Sequence, residues 1–167
     1  ACGTSWHAAL IGSYILEELL NIPVKVEYAS EFRYRETALD KDTVVMCVSQ
    51  SGETADTLAA IRKAKEKGAL TLGIVNVVGS SIARETQCGV YIHAGPERGV
   101  ASTKSFTAQV VIFNMIGLFL AQKKGVNKEN LQQLIEDLDM MPNLIQQVLD
   151  HGNEIISIAE HFNEVDN

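Results

Sequence analysis

The sequence holds no CxxC pair, no HxxxH spacing and no cluster of His, Asp and Glu, so no metal centre is expected from it. Its three cysteines, Cys2, Cys47 and Cys88, are odd in number, and Cys47 lies in an apolar run. They read as buried or near-buried thiols of a reducing compartment, not as a disulfide framework. No basic start leads into an apolar stretch, so no signal-peptide pattern is visible. The most apolar run, Ala108 to Ala121, is interrupted by Gln109 and Asn114. It falls short of the roughly 20 residues of a membrane span and reads as a core helix. A basic stripe with interleaved aromatics is missing, which argues against nucleic acid. Also missing are the dinucleotide fingerprint GxGxxG and the nucleotide loop GxxxxGK followed by Ser or Thr. The nucleophile elbow GxSxG fails at Ser51, because position 49 is serine.

What is present is a chain of 167 residues, 46% hydrophobic and 21% charged, enough for one well-packed domain with an appendage. The net charge of −7 is unevenly spread. Residues 126–167 carry nine Asp/Glu against one Lys, about −8, whereas residues 1–125 carry thirteen Lys/Arg against twelve Asp/Glu, about +1.

Two periods alternate along residues 1–125. Val24–Tyr28, Thr43–Val48, Leu70–Val77 and Val90–His93 read as strands. Ala8–Leu20, Thr54–Lys67 and Ser102–Lys124 read as helices, the second and third closed by Gly68 and Gly125. Such alternation implies βαβ units and a parallel sheet covered on both faces. The run Val44–Val48 is apolar at every residue and is expected mid-sheet. Residues 126–167 read as two or three helices, with Pro142 starting or breaking one. The opening Ala1–Ser5 reads as the end of a strand whose earlier residues lie outside the chain, as expected of a piece of a larger enzyme.

One stretch concentrates the chemistry. Val48-Ser-Gln-Ser-Gly-Glu-Thr-Ala-Asp-Thr-Leu58 spans an expected strand-to-helix turn, with two serines, two threonines and no Lys or Arg. A helix N-terminus offers free N–H groups and partial positive charge, and hydroxyls beside it can donate to phosphate oxygens. A plain N-cap explains the same composition. Two further turns share the pattern, Gly3-Thr-Ser5 and Gly99-Val-Ala-Ser-Thr-Lys-Ser105. In an open parallel sheet all three converge at the carboxyl edge, where ligands bind. Cys2 is read as a small buried residue, and His7 and His93 as capping or partly buried. His151 and His161 are expected to be solvated. Glu53 and Glu97 are the carboxylates nearest the site, and Glu53 has an ordinary dipole explanation.

Together, Ala1-Cys-Gly-Thr-Ser5, Ser49 to Leu58, Val78-Gly-Ser-Ser81 and Gly99-Val-Ala-Ser-Thr-Lys104, with Ala29-Ser-Glu-Phe32 and Ala94-Gly-Pro-Glu97, resemble the first sugar isomerase (SIS) domain of the glutamine–fructose-6-phosphate aminotransferase family. The resemblance implies an α/β fold, a three-layer αβα sandwich with a five-stranded parallel sheet over 1–125. A helical linker over 126–167 would lead toward an absent second SIS domain. It implies a cytoplasmic homodimer that makes glucosamine 6-phosphate from fructose 6-phosphate and glutamine-derived ammonia, with no metal or redox cofactor. Ser49, Gln50, Ser51 and Thr54 would hold the phosphate with Ser5 beside them, and Thr4, Val100 and Ser102 would contact the sugar. The catalytic residues would lie outside this chain, which alone is expected to be inactive. The alternative is a stand-alone SIS sensor of sugar phosphates that regulates a partner.

Overall fold

The computed structural model describes residues 1–126 and 128–163, in two compact units, Ala1–Val126 and Asn127–Asn167. The first unit runs α1 (Thr4–Leu20), α2 (Ala29–Tyr34), β1 (Val44–Ser49), α3 (Ala55–Glu66), β2 (Leu70–Val75), α4 (Ser81–Glu85), β3 (Cys88–Tyr91) and α5 (Lys104–Lys124). The second holds α6 (Lys128–Asp150) and α7 (Gly152–His161).

The three strands form one parallel sheet in the order β1-β2-β3, with Val44 opposite Leu70 and Leu72 opposite Cys88. Consecutive parallel neighbours need crossovers, and α3 and α4 supply them. Cys47, Ile61, Val75 and Ile82 pack as one buried cluster between the strands and these two helices. Strand side chains alternate between faces. Val48 and Ile74, on the opposite face from Cys47 and Val75, are buried too, so the sheet is covered on both sides.

The expectation of five strands is not met: three are present among the described residues. Val24–Tyr28, expected as a strand, forms no ladder, although Tyr28 is extended. Its pairing consists of one bridge, in which Ala29 N–H donates to Ala1 O at 2.9 Å and the Ala1 α-amino group to Glu27 O at 3.5 Å. An extended segment becomes a strand only when a neighbour shares its ladder. The mid-sheet placement of β1 is likewise corrected. β2 is central, β1 pairs on one side only, and Val44 is 54% exposed. An apolar run reports burial of side chains, not which strand has two partners. Pro142 neither starts nor breaks a helix but lies inside α6, at an exposed position where water can take up the carbonyl its missing N–H leaves free. The short helices α2 and α4 carry too few turns for a periodic signal and went unread. α5 begins two residues after the expected Ser102 and ends at the expected Lys124, and by length and composition its 21 residues could cross a membrane.

α5 instead lies along α1. A Cβ at Gly12 would fall 2.4 Å from the Phe113 ring, and one at Gly117 would fall 2.8 Å from Leu19 Cδ1, so both glycines permit close helix approach. Ser5 meets Gln109 near one end and Leu20 O accepts from Lys124 Nζ near the other, so the helices run in the same direction. Their N-termini therefore share one end of the unit. The Gly12→Leu variant is expected to overpack this contact and lower stability by about 1–3 kcal/mol, measured by urea unfolding monitored by circular dichroism.

Candidate functional site

β1 ends at Ser49 and α3 begins at Ala55, so residues 50–54 form the turn at the carboxyl edge of the sheet. Ala1 lies near Cys47, and α1 starts beside it, at the same edge.

Within the turn, the buried Ser49 hydroxyl accepts from Gly52 N–H at 3.1 Å and shares a hydrogen bond with Thr54 Oγ1 at 3.1 Å. Ser51 Oγ accepts from Glu53 N–H at 3.2 Å, which leaves its own proton free to donate. Thr54 is the N-cap residue of α3, yet its side chain makes no cap bond, because Ser49 engages it. The plain N-cap explanation of the hydroxyls is therefore not what is built. The first N–H groups of α3 keep their donor capacity and their positive dipole end, beside the half-buried Ser51 and Thr54.

The turn is held from behind by α4. Gly52 has φ 68° and a Cβ there would fall 2.0 Å from Ser80 Oγ. Gly52 O accepts from Ile82 N–H at 2.9 Å, and Glu53 Oε1 from Ser81 N–H at 2.8 Å. Hydrogen bonds from Ser81 hold the Glu53 carboxyl below its ordinary range. Glu53 is thus a clamp onto α4, not a dipole partner of α3.

The third turn differs from the other two. Glu97 accepts from Ser102 Oγ at 3.2 Å, Thr103 Oγ1 at 3.2 Å, Thr103 N–H at 3.3 Å and Ser105 N–H at 3.2 Å. A carboxylate of this chain already occupies the N-terminus of α5. Burial pushes the Glu97 carboxyl up, but the hydrogen bonds from Ser105, Ser102 and Thr103 outweigh it and hold it below the usual carboxylate range. Ser102 is turned to Glu97, and Val100 is fully exposed beside it.

Gln50 lines a hollow of about 490 Å³ with Asn76, His93, Gly95 and Glu97. Asn76 shapes its wall, donating from Nδ2 to Gly95 O at 2.7 Å and accepting from Ala94 N–H at 2.9 Å. A larger hollow, about 840 Å³, lies between Val24–Glu27 and β1. It follows the unpaired edge of β1, and none of the predicted site residues lines it. Thr4 and Ser5 open α1, whose N-cap Gly3 makes no side-chain bond.

Three readings are corrected here. His7 and His93 are exposed, His93 with φ 50°, and neither caps a helix. Cys88 is exposed and Cys2 half-buried, so only Cys47 is a buried thiol, pushed up to about 12 by desolvation and inert. The roles of Glu97, Asn76 and Gln109 went unread. Each acts across a turn or between helices, and no spacing announces such a contact.

Residues 1–118 match the SIS domain family. The chain is 53% identical over all its length to glutamine–fructose-6-phosphate aminotransferase (isomerizing) of Chlorobaculum tepidum and covers 27% of that protein. It is 50% identical over 95% of its length to form 2 of the same enzyme from Mus musculus, covering 23%. The chain thus spans about a quarter of the curated relatives it matches. Among solved structures, the C-terminal domain of glucosamine-fructose-6-phosphate aminotransferase from Francisella tularensis superposes with TM-score 0.91 at 37% identity, over 98% of this chain and 47% of that one. Glucosamine-6-phosphate deaminase from Thermotoga maritima gives 0.71 at 25% identity, over 85% and 43%.

Two expectations follow from the geometry. Gly52→Ala meets both a positive φ and Ser80, and should lower stability by about 1–3 kcal/mol, read by thermal melting. Because the folded Glu97 carboxyl is depressed, its contribution is complete above the unfolded value near 4.5 and is lost as pH falls through the lower folded value. In Glu97→Gln the acid limb of stability below that pH should be flatter than in the wild type, measured by denaturant titration at stepped pH.

Proposed function

Because the chain belongs to the SIS domain family, we propose that it is the sugar-phosphate-binding half of the isomerase region of an enzyme making glucosamine 6-phosphate. The substrates of that enzyme would be fructose 6-phosphate and glutamine-derived ammonia. The observation that carries the reading is the α3 N-terminus, uncapped although ringed by hydroxyls. Ser51 and Thr54, with the α3 amides, would grip the phosphate by hydrogen bonds without formal charge. Ser49 would hold the turn's shape, Gln50 would close one side, and Ser5 would donate from α1. Thr4, Val100 and Ser102 would meet the sugar, Ser102 through the loop that Glu97 anchors.

No residue of this chain is proposed to be catalytic. Amination and aldose–ketose isomerisation need an imine-forming amine and a general base. Glu53 and Glu97 are both engaged as clamps. The base and amine would come from segments outside this chain, with the phosphate grip orienting the reacting carbons. The α6–α7 unit would be the linker toward a second SIS domain, in a cytoplasmic homodimer. The stand-alone sensor is not favoured, since the close relatives are aminotransferases.

In the longer protein the sheet would reach five strands. The groove beside β1 is flanked by Val24–Glu27 and opens at Ala1, which already bridges Tyr28 in parallel sense. Residues preceding Ala1 would fill it and pair with both neighbours.

Ser51→Ala combined with Thr54→Ala should weaken binding of fructose 6-phosphate by about 1.5–3 kcal/mol per lost bond and leave the fold intact. Isothermal calorimetry reads the affinity, and unchanged affinity would remove the phosphate assignment.

A further inference from the structure

Gln109 is 0% exposed, and its Nε2 donates to Ser5 Oγ at 3.0 Å, joining α5 to α1 across 104 residues of chain. Its Oε1 has no partner among the described residues. A buried amide with one end unpaired is costly, and an apolar side chain would fill the site without that cost. What the position uniquely supplies is the donor. The reverse orientation of the amide would strand N–H groups instead of a carbonyl, the less tolerated case.

The consequence falls on Ser5. A hydroxyl carries one proton and two lone pairs, so a Ser5 oxygen that accepts from Gln109 keeps its proton to give. A serine inside a helix can spend that proton on a backbone carbonyl one turn back. Ser13, further along α1, does so, donating to Leu10 O at 2.7 Å. Ser5 is the second residue of α1, has no helical carbonyl there and makes no such bond among the described residues. We propose that Gln109 is a positioning residue that draws Ser5 Oγ toward α5 and fixes it as a donor to the sugar phosphate. The inference rests on the anion reading of this sheet edge.

The test is titration of this chain with fructose 6-phosphate, comparing Ser5→Ala, Gln109→Met, Gln109→Glu and the Ser5→Ala/Gln109→Met double variant. Gln109→Met removes the donor and also the unpaired oxygen. It should bind about tenfold more weakly while its melting temperature stays level or rises, a split that a purely structural glutamine would not produce. The double variant should lose no more than Ser5→Ala alone. Gln109→Glu guards against misfolding of the methionine variant. A buried acid, once protonated, can donate as the amide does, so its affinity relative to wild type should recover between pH 8 and pH 5.

Binding by Gln109→Met within twofold of wild type overturns the proposal. So do additive losses in the double variant, or a Gln109→Glu ratio still depressed at pH 5. If Ser51→Ala/Thr54→Ala weakens binding while every Ser5 and Gln109 variant binds like wild type, the proposal falls and the anion reading stands. If the wild type itself does not bind, both fall.

Discussion

The parallel ladder of β1, β2 and β3 is the constraint from which the site descends. Parallel neighbours cannot be joined by tight turns, so the chain must leave the carboxyl edge, cross a face as a helix and return. That requirement brings the α3 N-terminus to the edge where β1 ends. The same edge receives α1, and α5 joins it because Gly12 and Gly117 let the two helices lie close and codirectional. Side-chain chemistry decides what the edge binds, but the backbone decides that there is an edge to furnish.

The furnishing is uneven. All three turns are rich in glycine and hydroxyls, yet they do different work. At α3 the hydroxyls are tied to one another and to the turn, leaving the helix amides open. At α5 a carboxylate from the chain itself takes the amides and rigidifies the loop. An external anion meets attraction at the first and repulsion at the second. No carboxylate takes the first amides of α1 or α3, whereas Glu97 takes those of α5, so the positive dipole ends are available at two of the three turns.

The candidate turn could be read from residue order. The stretch Ser49 to Thr54 announced itself by composition at a period change, and the three helix-opening turns were found by the same cue. Local cues reach about as far as one turn of helix. They could not reveal that Thr54 would be held by Ser49 instead of capping α3, since both arrangements use the same residues. They also missed that β1 has one partner where an all-apolar run suggested two, and that Val24–Tyr28 pairs with Ala1 alone. Gln109 lay in plain view as a blemish in an apolar run, and its meaning depended on a residue more than a hundred positions away.

The absent side chain at Gly52 has a consequence for how this chain can change over time. Its backbone sits so near Ser80 that neither position can grow unless the other yields, and Ser80 is itself pinned at the start of α4. Positions 52 and 80 are therefore sterically coupled, although they lie 28 positions apart in the sequence. A larger residue at position 52 would need a smaller one at position 80, and would still meet the positive φ.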